Sequence, residues 1–384
     1  MKSDILFMPL GGGQRIGASC YLLRLGNNDI ILDAGSGNTN GTRFTPVFSG
    51  LSCLPSFYSM SQISSIFISH AHMDHIGALL DVMSMSKNAG VYMTDITRTL
   101  TELQLYDKVY FPKKCSGEYR RLSVQSLLEQ RISSVSYMKP MEFTDYKVTF
   151  YPAGHIPGAM MTLFEYKDRS ILYTGDYSVS PSPLTPGCVL PSDKKIDTLI
   201  LCGLHAKHPF YRKNTEDIYR VIDHLLYTVS FHKRSAAANI SQLSKGAEFL
   251  RLLNERNITG VPVFVDSDIM QVVRKLENKG FRFLNENVRQ MTDELPHYPH
   301  IYLTMGKKRM PGFYSENINA DFTLHEDYRE MKQLIKQMAP RLAVIVHCAP
   351  SFDPSDIDIE QDLLMDSDCN TQIIFAEEQQ IYSL

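Results

Sequence analysis

The segment HAHMDH at 70–75 places His70, His72, Asp74 and His75 within six residues, directly after the apolar run SIFIS at 65–69. Imidazole and carboxylate are the ligand set that zinc and related divalent ions favour. Four such groups packed this densely are rarely a solvated loop. A strand over 65–69 leaves the histidines at its C-terminal edge. Strand alternation then presents His70 and His72 on one side, and the following turn swings Asp74 and His75 toward a second point about 3.5–4 Å away, so that one loop serves two ions.

The remainder of the chain has the material to frame such a centre. Its 384 residues fit one large α/β domain or two ordinary ones. With 43% hydrophobic and 21% charged residues it has the composition of a soluble globular protein. The formal charge of −3 gives no global field favouring nucleic acid or an acidic membrane, so any polyanion site is local. Short β-rich runs at 5–10, 19–25 and 29–33, separated by glycine turns, predict an antiparallel meander. A helix is expected from 76 to 85, with further strands at 147–152, 161–166, 170–174 and 198–201. After about 208 the pattern changes. The segment 215–229 puts Ile218, Val221, Ile222, Leu225 and Leu226 on one helical face. A helix at 243–254, a strand at 261–265 and a helix at 269–279 then predict a second α/β domain. A last helix at 327–338 leads to strands at 342–346 and 372–376.

Seven cysteines, at 20, 53, 115, 188, 202, 348 and 369, include no CxxC pair, which argues against a disulfide framework or a zinc ribbon. A reducing compartment follows. The opening MKSDILFMPLGGG meets an acid and then glycines before any apolar run reaches signal-peptide length, so the expected location is cytoplasmic. No run approaches the roughly 18 apolar residues of a membrane span.

HxHxDH after an apolar strand resembles the signature of the metallo-β-lactamase superfamily of dinuclear metallohydrolases. The resemblance extends along the chain. Gly-His-Ile-Pro-Gly-Ala supplies His155 as the third ligand of a first metal, and Thr-Gly-Asp supplies Asp176, which in that family bridges both metals. Asp33 in LDAG resembles the family's early structural aspartate, although by itself it reads equally well as a turn residue. Val-Ile-Val-His ends on His347, which resembles the last metal-binding histidine of the β-CASP branch, whose members process nucleic acids and carry an inserted α/β domain. FTLHED at 322–327 resembles that branch's other histidine motif, which implies that His325 is a general acid. The resemblance also takes in GGGQRIGASCYLL near the start and the helix and VFVD strand of 243–266.

The implied architecture is an α/β fold, a metallo-β-lactamase αββα sandwich over 1–207 and 319–384, with a smaller β-CASP-like α/β domain inserted at 208–318. The insert is short for that branch. Cys202-Gly203-Leu204-His205 stands where the branch carries an acidic residue that orients the histidine acid, and a thiol does this poorly. His325 is then expected to pair with Glu326, Asp327 or His205.

The resemblance implies hydrolysis of RNA, or of single-stranded DNA, by two divalent ions, zinc foremost and manganese the alternative. His70, His72, Asp74, His75, His155, Asp176 and His347 would hold the metals, Asp74 and His325 would act in catalysis, and the substrate would lie in a groove between the two domains. Basic residues at Lys207, His208, Arg212, Lys213, Lys307 and Lys308, with a further cluster at 232–234, are candidate phosphate contacts. Each reads equally well as a solvated loop. Phe210 and Tyr211 are candidates for base stacking. Two rival readings stand beside this one: a small-molecule metallohydrolase acting on an ester, thioester or cyclic phosphodiester, and a weakly active or non-catalytic nucleic-acid-binding subunit. A protein partner or a homodimer is compatible with all three.

Overall fold

The structure is a computed structural model that describes residues 4–384 apart from 58, 108–128, 212–215, 241–242, 293, 295, 307–311, 319–324, 350–357 and 366–369. In chain order its strands are β1 (Ile5–Gly11), β2 (Cys20–Leu25), β3 (Asn28–Leu32), β4 (Gly37–Thr39), β5 (Thr42–Phe44), β6 (Ile63–Phe67), β7 (Gly90–Thr94), β8 (Ile132–Val135), β9 (Met141–Glu142), β10 (Lys147–Pro152), β11 (Met160–Tyr166), β12 (Arg169–Tyr173), β13 (Thr198–Cys202), β14 (Ala236–Ile240), β15 (Val263–Val265), β16 (Val288–Gln290), β17 (Ile301–Met305), β18 (Tyr314–Ile318), β19 (Leu342–Val346), β20 (Gln372–Phe375) and β21 (Tyr382–Ser383). The helices are α1 (Met73–Ile76), α2 (Leu79–Met85), α3 (Asp95–Asp107), α4 (Glu216–Ser230), α5 (Leu243–Arg256), α6 (Ser267–Glu277), α7 (Tyr328–Met338) and α8 (Ile359–Leu364).

Two compact units divide the chain. The first comprises Met1–Ser180, Gly187–Arg212 and His325–Leu384, and the second Pro181–Pro186 and Lys213–Leu324. The first unit is built on two seven-stranded sheets, ordered β21-β1-β2-β3-β6-β7-β8 and β20-β19-β13-β12-β11-β10-β9. Each is antiparallel on one side and parallel on the other: β1-β2-β3 is the meander, while β3, β6, β7 and β8 run parallel. In the second sheet β10-β11-β12 are antiparallel, and β12, β13, β19 and β20 parallel.

The sheets face each other across one apolar core. Phe7, Leu23, Leu32 and Phe67 from the first meet Val148, Phe164, Tyr173, Ile200 and Val344 from the second. Phe67 stands edge-on to Phe164, their centroids 5.3 Å apart. Burial of each such side chain is worth about 1.5–3 kcal/mol. With α3 lying against β7 and β8, the result is a layered α/β sandwich.

The helix expected at 76–85 is split. Met73–Ile76 makes one turn, and α2 begins only at Leu79. Ala78 gives its N–H to Ala34 O at 2.7 Å instead of continuing the ladder, because the β3 exit loop passes alongside.

In the second unit five strands form a wholly parallel sheet, ordered β16-β15-β17-β14-β18. The α4 helix buries Ile218, Ile222, Leu225, Leu226 and Val229. Asp266, the residue preceding α6, accepts from Thr304 Oγ1 at 2.9 Å and Met305 N at 3.1 Å, tying the end of β15 to β17. No helix among the described residues is long and apolar enough to cross a membrane.

Candidate metal centre

The ligand-type residues gather where strands of both sheets of the first unit end. Beyond β6, Ser69 N–H donates to Asp33 Oδ1 at 2.7 Å, so the chain is pinned before the motif starts. His70 and His72 therefore lie past the strand, and the turn there, rather than strand pleating, brings them together: His70 Nε2 is 3.2 Å from His72 Nδ1. His72 caps α1, whose single turn carries Asp74 and His75. His155 follows β10 in a loop where Gly154 has φ +76°, and a Cβ there would fall 2.4 Å from Cys188 N and Ser178 O. Asp176 follows β12. His347 follows β19 with φ +51°, its N–H donating to Gly12 O at 2.7 Å.

Two four-residue groups result. His70, His72, His155 and Asp176 form one, and Asp74, His75, Asp176 and His347 the other, each with its ligand atoms within 4.8 Å of one another. Asp176 belongs to both. It is almost fully buried, yet neither carboxylate oxygen makes a hydrogen bond of good geometry. Around it stand His75 Nε2 at 3.3 Å, His70 Nε2 and His155 Nε2 each at 3.7 Å, and His325 Nδ1 at 3.9 Å. A buried carboxylate with no hydrogen bond is costly unless a cation compensates it. The donor set therefore fits two divalent ions sharing one carboxylate.

The buried rings of the two groups differ in protonation. Burial, reinforced by His75 and His155, holds His70 well below the usual imidazole range and hence neutral, as a ligand must be. Burial also opposes a charge on His75, but Asp176 and Asp33 outweigh it and raise His75 well above that range. Burial opposes the Asp176 charge too, yet His75 and His347 keep the carboxylate ionised.

Asp33, in the left-handed region at φ +58°, is a fourfold acceptor. Besides Ser69 N–H it takes hydrogen bonds from Ser69 Oγ at 2.7 Å, Tyr173 OH at 2.5 Å and His75 Nδ1 at 2.7 Å. Its contact with His75 turns Nε2 of that ring toward Asp176. Ser69, Tyr173 and also Ser19, whose Oγ lies 2.8 Å from His347 Nδ1, escape a reading of the sequence. Ser and Tyr in β-rich segments carry no spacing signal of their own.

A third cluster joins Asp176, Cys202 and His325. The His325 ring packs 4.5 Å from that of His155. Burial, with His347 and His205 adding to it, lowers His325 to about 3 despite Asp176. The Cys202 thiol is pushed well up by burial and by Asp176 and Glu326, so it supplies no negative charge to the ring. Of the partners expected for His325, Asp327 is spent on capping α7, accepting from Glu330 N–H at 3.0 Å, while His205 stacks on Tyr211 at 3.6 Å.

Of the basic candidates at 207–213 and 307–308, only Lys207 and His208 are among the described residues. Lys207 donates to Gln14 Oε1 at 2.9 Å and sits 4.8 Å over the Phe375 ring. His208 is buried, and Tyr211 has one face covered by His205, whereas Phe210 is 82% exposed. Arg212, Lys213, Lys307 and Lys308 lie outside the described residues.

The family model of the metallo-beta-lactamase superfamily domain matches residues 22–199. The chain is 28% identical over 303 residues to endoribonuclease ysh1 of Schizosaccharomyces pombe, covering 76% of this chain and 38% of that protein. It is 27% identical over 310 residues to cleavage and polyadenylation specificity factor subunit 3 of Dictyostelium discoideum, with 76% and 38% covered. Endoribonuclease YSH1 of Yarrowia lipolytica matches at 34% over 177 residues, 45% of this chain and 20% of that one. The chain thus spans well under half the length of these curated relatives. A solved structure of a protein of unknown function from Enterococcus faecalis superposes with TM-score 0.67 over 99% of this chain and 100% of that one, at 13% identity, a likeness of fold alone.

Proposed function

We propose that this chain is a hydrolase of the β-CASP branch of the metallo-β-lactamase superfamily, one that cleaves the phosphodiester backbone of RNA with two divalent ions. The observation that carries the proposal is Asp176, a buried carboxylate without a hydrogen bond of good geometry that is common to two imidazole-rich ligand groups. When bound, the ions supply Lewis-acid activation of water and stabilisation of charge on the phosphate. The residues of the chain do the rest. His70, His72, His155 and Asp176 would hold one ion, and Asp74, His75, His347 and Asp176 the other. Asp33 keeps the His75 ring turned toward Asp176. His325, its Nδ1 3.9 Å from Asp176 Oδ2, is the proposed proton donor to the leaving oxygen, acting in the small fraction of molecules whose ring is charged.

The relatives, two of them named endoribonucleases, support RNA over a small ester or thioester as substrate. Zinc is the ion we favour, on the histidine-rich donor set. In the same proposal the catalytic domain comprises residues 1–207 and 319–384, and 208–318 is the β-CASP-like insert. Lys207 and the exposed Phe210 are candidate contacts to the strand. One relative is named as a subunit, which supports a protein partner for this chain as well. A cytoplasmic location belongs to the same proposal.

The test is cleavage of an end-labelled single-stranded RNA in added Zn²⁺ or Mn²⁺. Replacing His70 by Ala and Asp176 by Asn together is expected to remove several kcal/mol of charge stabilisation, about a thousandfold in rate. An unchanged nuclease rate in the double variant would sink the proposal. Metal-dependent turnover of ester or thioester substrates with intact RNA would favour the small-molecule reading instead.

A further inference from the structure

We infer that Ser19 is a positioning residue of the metal centre, its hydroxyl fixing the His347 ring so that Nε2 faces Asp74, His75 and Asp176. The inference rests on the metal-centre reading above. Ser19 is fully buried just ahead of β2, with Oγ 2.8 Å from His347 Nδ1 and 3.4 Å from His75 Nε2. Its backbone is held from both sides: Ser19 N–H donates to Asp74 O at 2.9 Å, and Gly35 N–H donates to Ser19 O at 2.8 Å. One bond ties Ser19 to the histidine motif and the other to the loop leaving Asp33, so the hydroxyl is carried on the same frame as the second ligand group.

His347 needs such a partner. Its main chain is fixed by the bond to Gly12 O and by its left-handed φ, but the ring can still turn about its last side-chain bond and present either nitrogen. A hydroxyl at Nδ1 selects one orientation, leaving Nε2 3.7 Å from Asp74 Oδ2. Gly12 makes the approach feasible. At φ +68° it tolerates the turn, and a Cβ there would fall 2.7 Å from Ser19 Cα. The GGGQRIGASC segment therefore delivers a hydrogen bond to a histidine more than three hundred residues away.

Partners of this kind on metal-binding histidines are worth about 10–100-fold in metal affinity. The experiment is a competitive chelator titration with Zn²⁺, together with metal counting, on the full chain. Wild type is expected to bind two ions. Ser19→Ala is expected to keep one at wild-type affinity and to bind the other about 10–100-fold more weakly, while remaining cooperatively folded in chelator. The isosteric pair Ser19→Thr and Ser19→Val repeats the comparison at equal volume, so that Thr retains the second ion and Val loses it even if Ala folds poorly. Two ions of wild-type affinity in both Ser19→Ala and Ser19→Val overturn this inference alone. Fewer than two ions in wild type overturn the metal-centre reading and this inference with it.

Discussion

Asp176 and Asp33 are both buried aspartates beside His75, yet their surroundings give them opposite tasks. Asp33 is saturated by four neutral or ring donors and orients its neighbours, whereas Asp176 makes no hydrogen bond of good geometry and is left with capacity for cations. No reading of LDAG or TGD separates the two, because the difference lies in which strands deliver donors to each carboxylate. Cys202 is the residue where the centre departs from the β-CASP pattern that the sequence otherwise resembles. With His325 held at about 3, only a small fraction of the ring carries a proton at neutral pH. A carboxylate at 202 favours the protonated ring, by about 1–3 pH units for an opposite charge at close range. Cys202→Asp is therefore expected to raise kcat at pH 7 by about tenfold or more and to shift the alkaline limb of the rate profile upward. A lower or unchanged rate at full metal content would show that His325 does not deliver the proton.

The α7 helix connects His325 to the sheet that ends in His347, and its two ends set its position. At the start Asp327 and Glu330 form a reciprocal cap; at the finish Ala339 adopts φ 42°, ψ 50°, a conformation made for glycine, ahead of Pro340. The acidic start and the proline stop are legible in the sequence, which places the helix at 327–338 against the observed 328–338. The left-handed Ala339 is not, since alanine there runs against local preference. Asp327→Ala is expected to cost about 1 kcal/mol, and Ala339→Gly to gain a comparable amount, about 1 kcal/mol. Opposite shifts of the urea midpoint check both, and shifts of the same sign would contradict the capping account. Strand β14, with sequence AAANI, escapes the sequence reading for a related reason. Alanine has low strand propensity, and the segment is a strand because β17 and β18 pair with both its edges. Ala237 packs there against Phe264 and Tyr302.

The two units have separate sheets and separate cores, and every residue of the candidate centre lies in the first. Metal binding to the folded form adds RT ln(1 + [L]/Kd), about 4 kcal/mol at a thousandfold excess over Kd. Chelation is accordingly expected to lower the thermal midpoint and to speed amide exchange in β6, β12 and β19, while β14 and β17 keep their protection; equal protection in the first unit with and without metal would contradict a centre that links its sheets. The chemistry was legible early because HAHMDH is local: six consecutive residues carry four donors and need only one turn to converge. The later ligands His155, Asp176 and His347 were legible by resemblance, at strand ends that periodicity locates. What the sequence alone determined is the donor set, the alternation of sheet and helix, and the caps. Only the tertiary structure decided that one buried aspartate serves both ligand groups while another orients His75, and that Ser19 reaches His347. Those choices depend on the parallel neighbours of β6 and β12 and on the approach of the Gly12 turn to His347, contacts between segments too far apart for any local pattern to record.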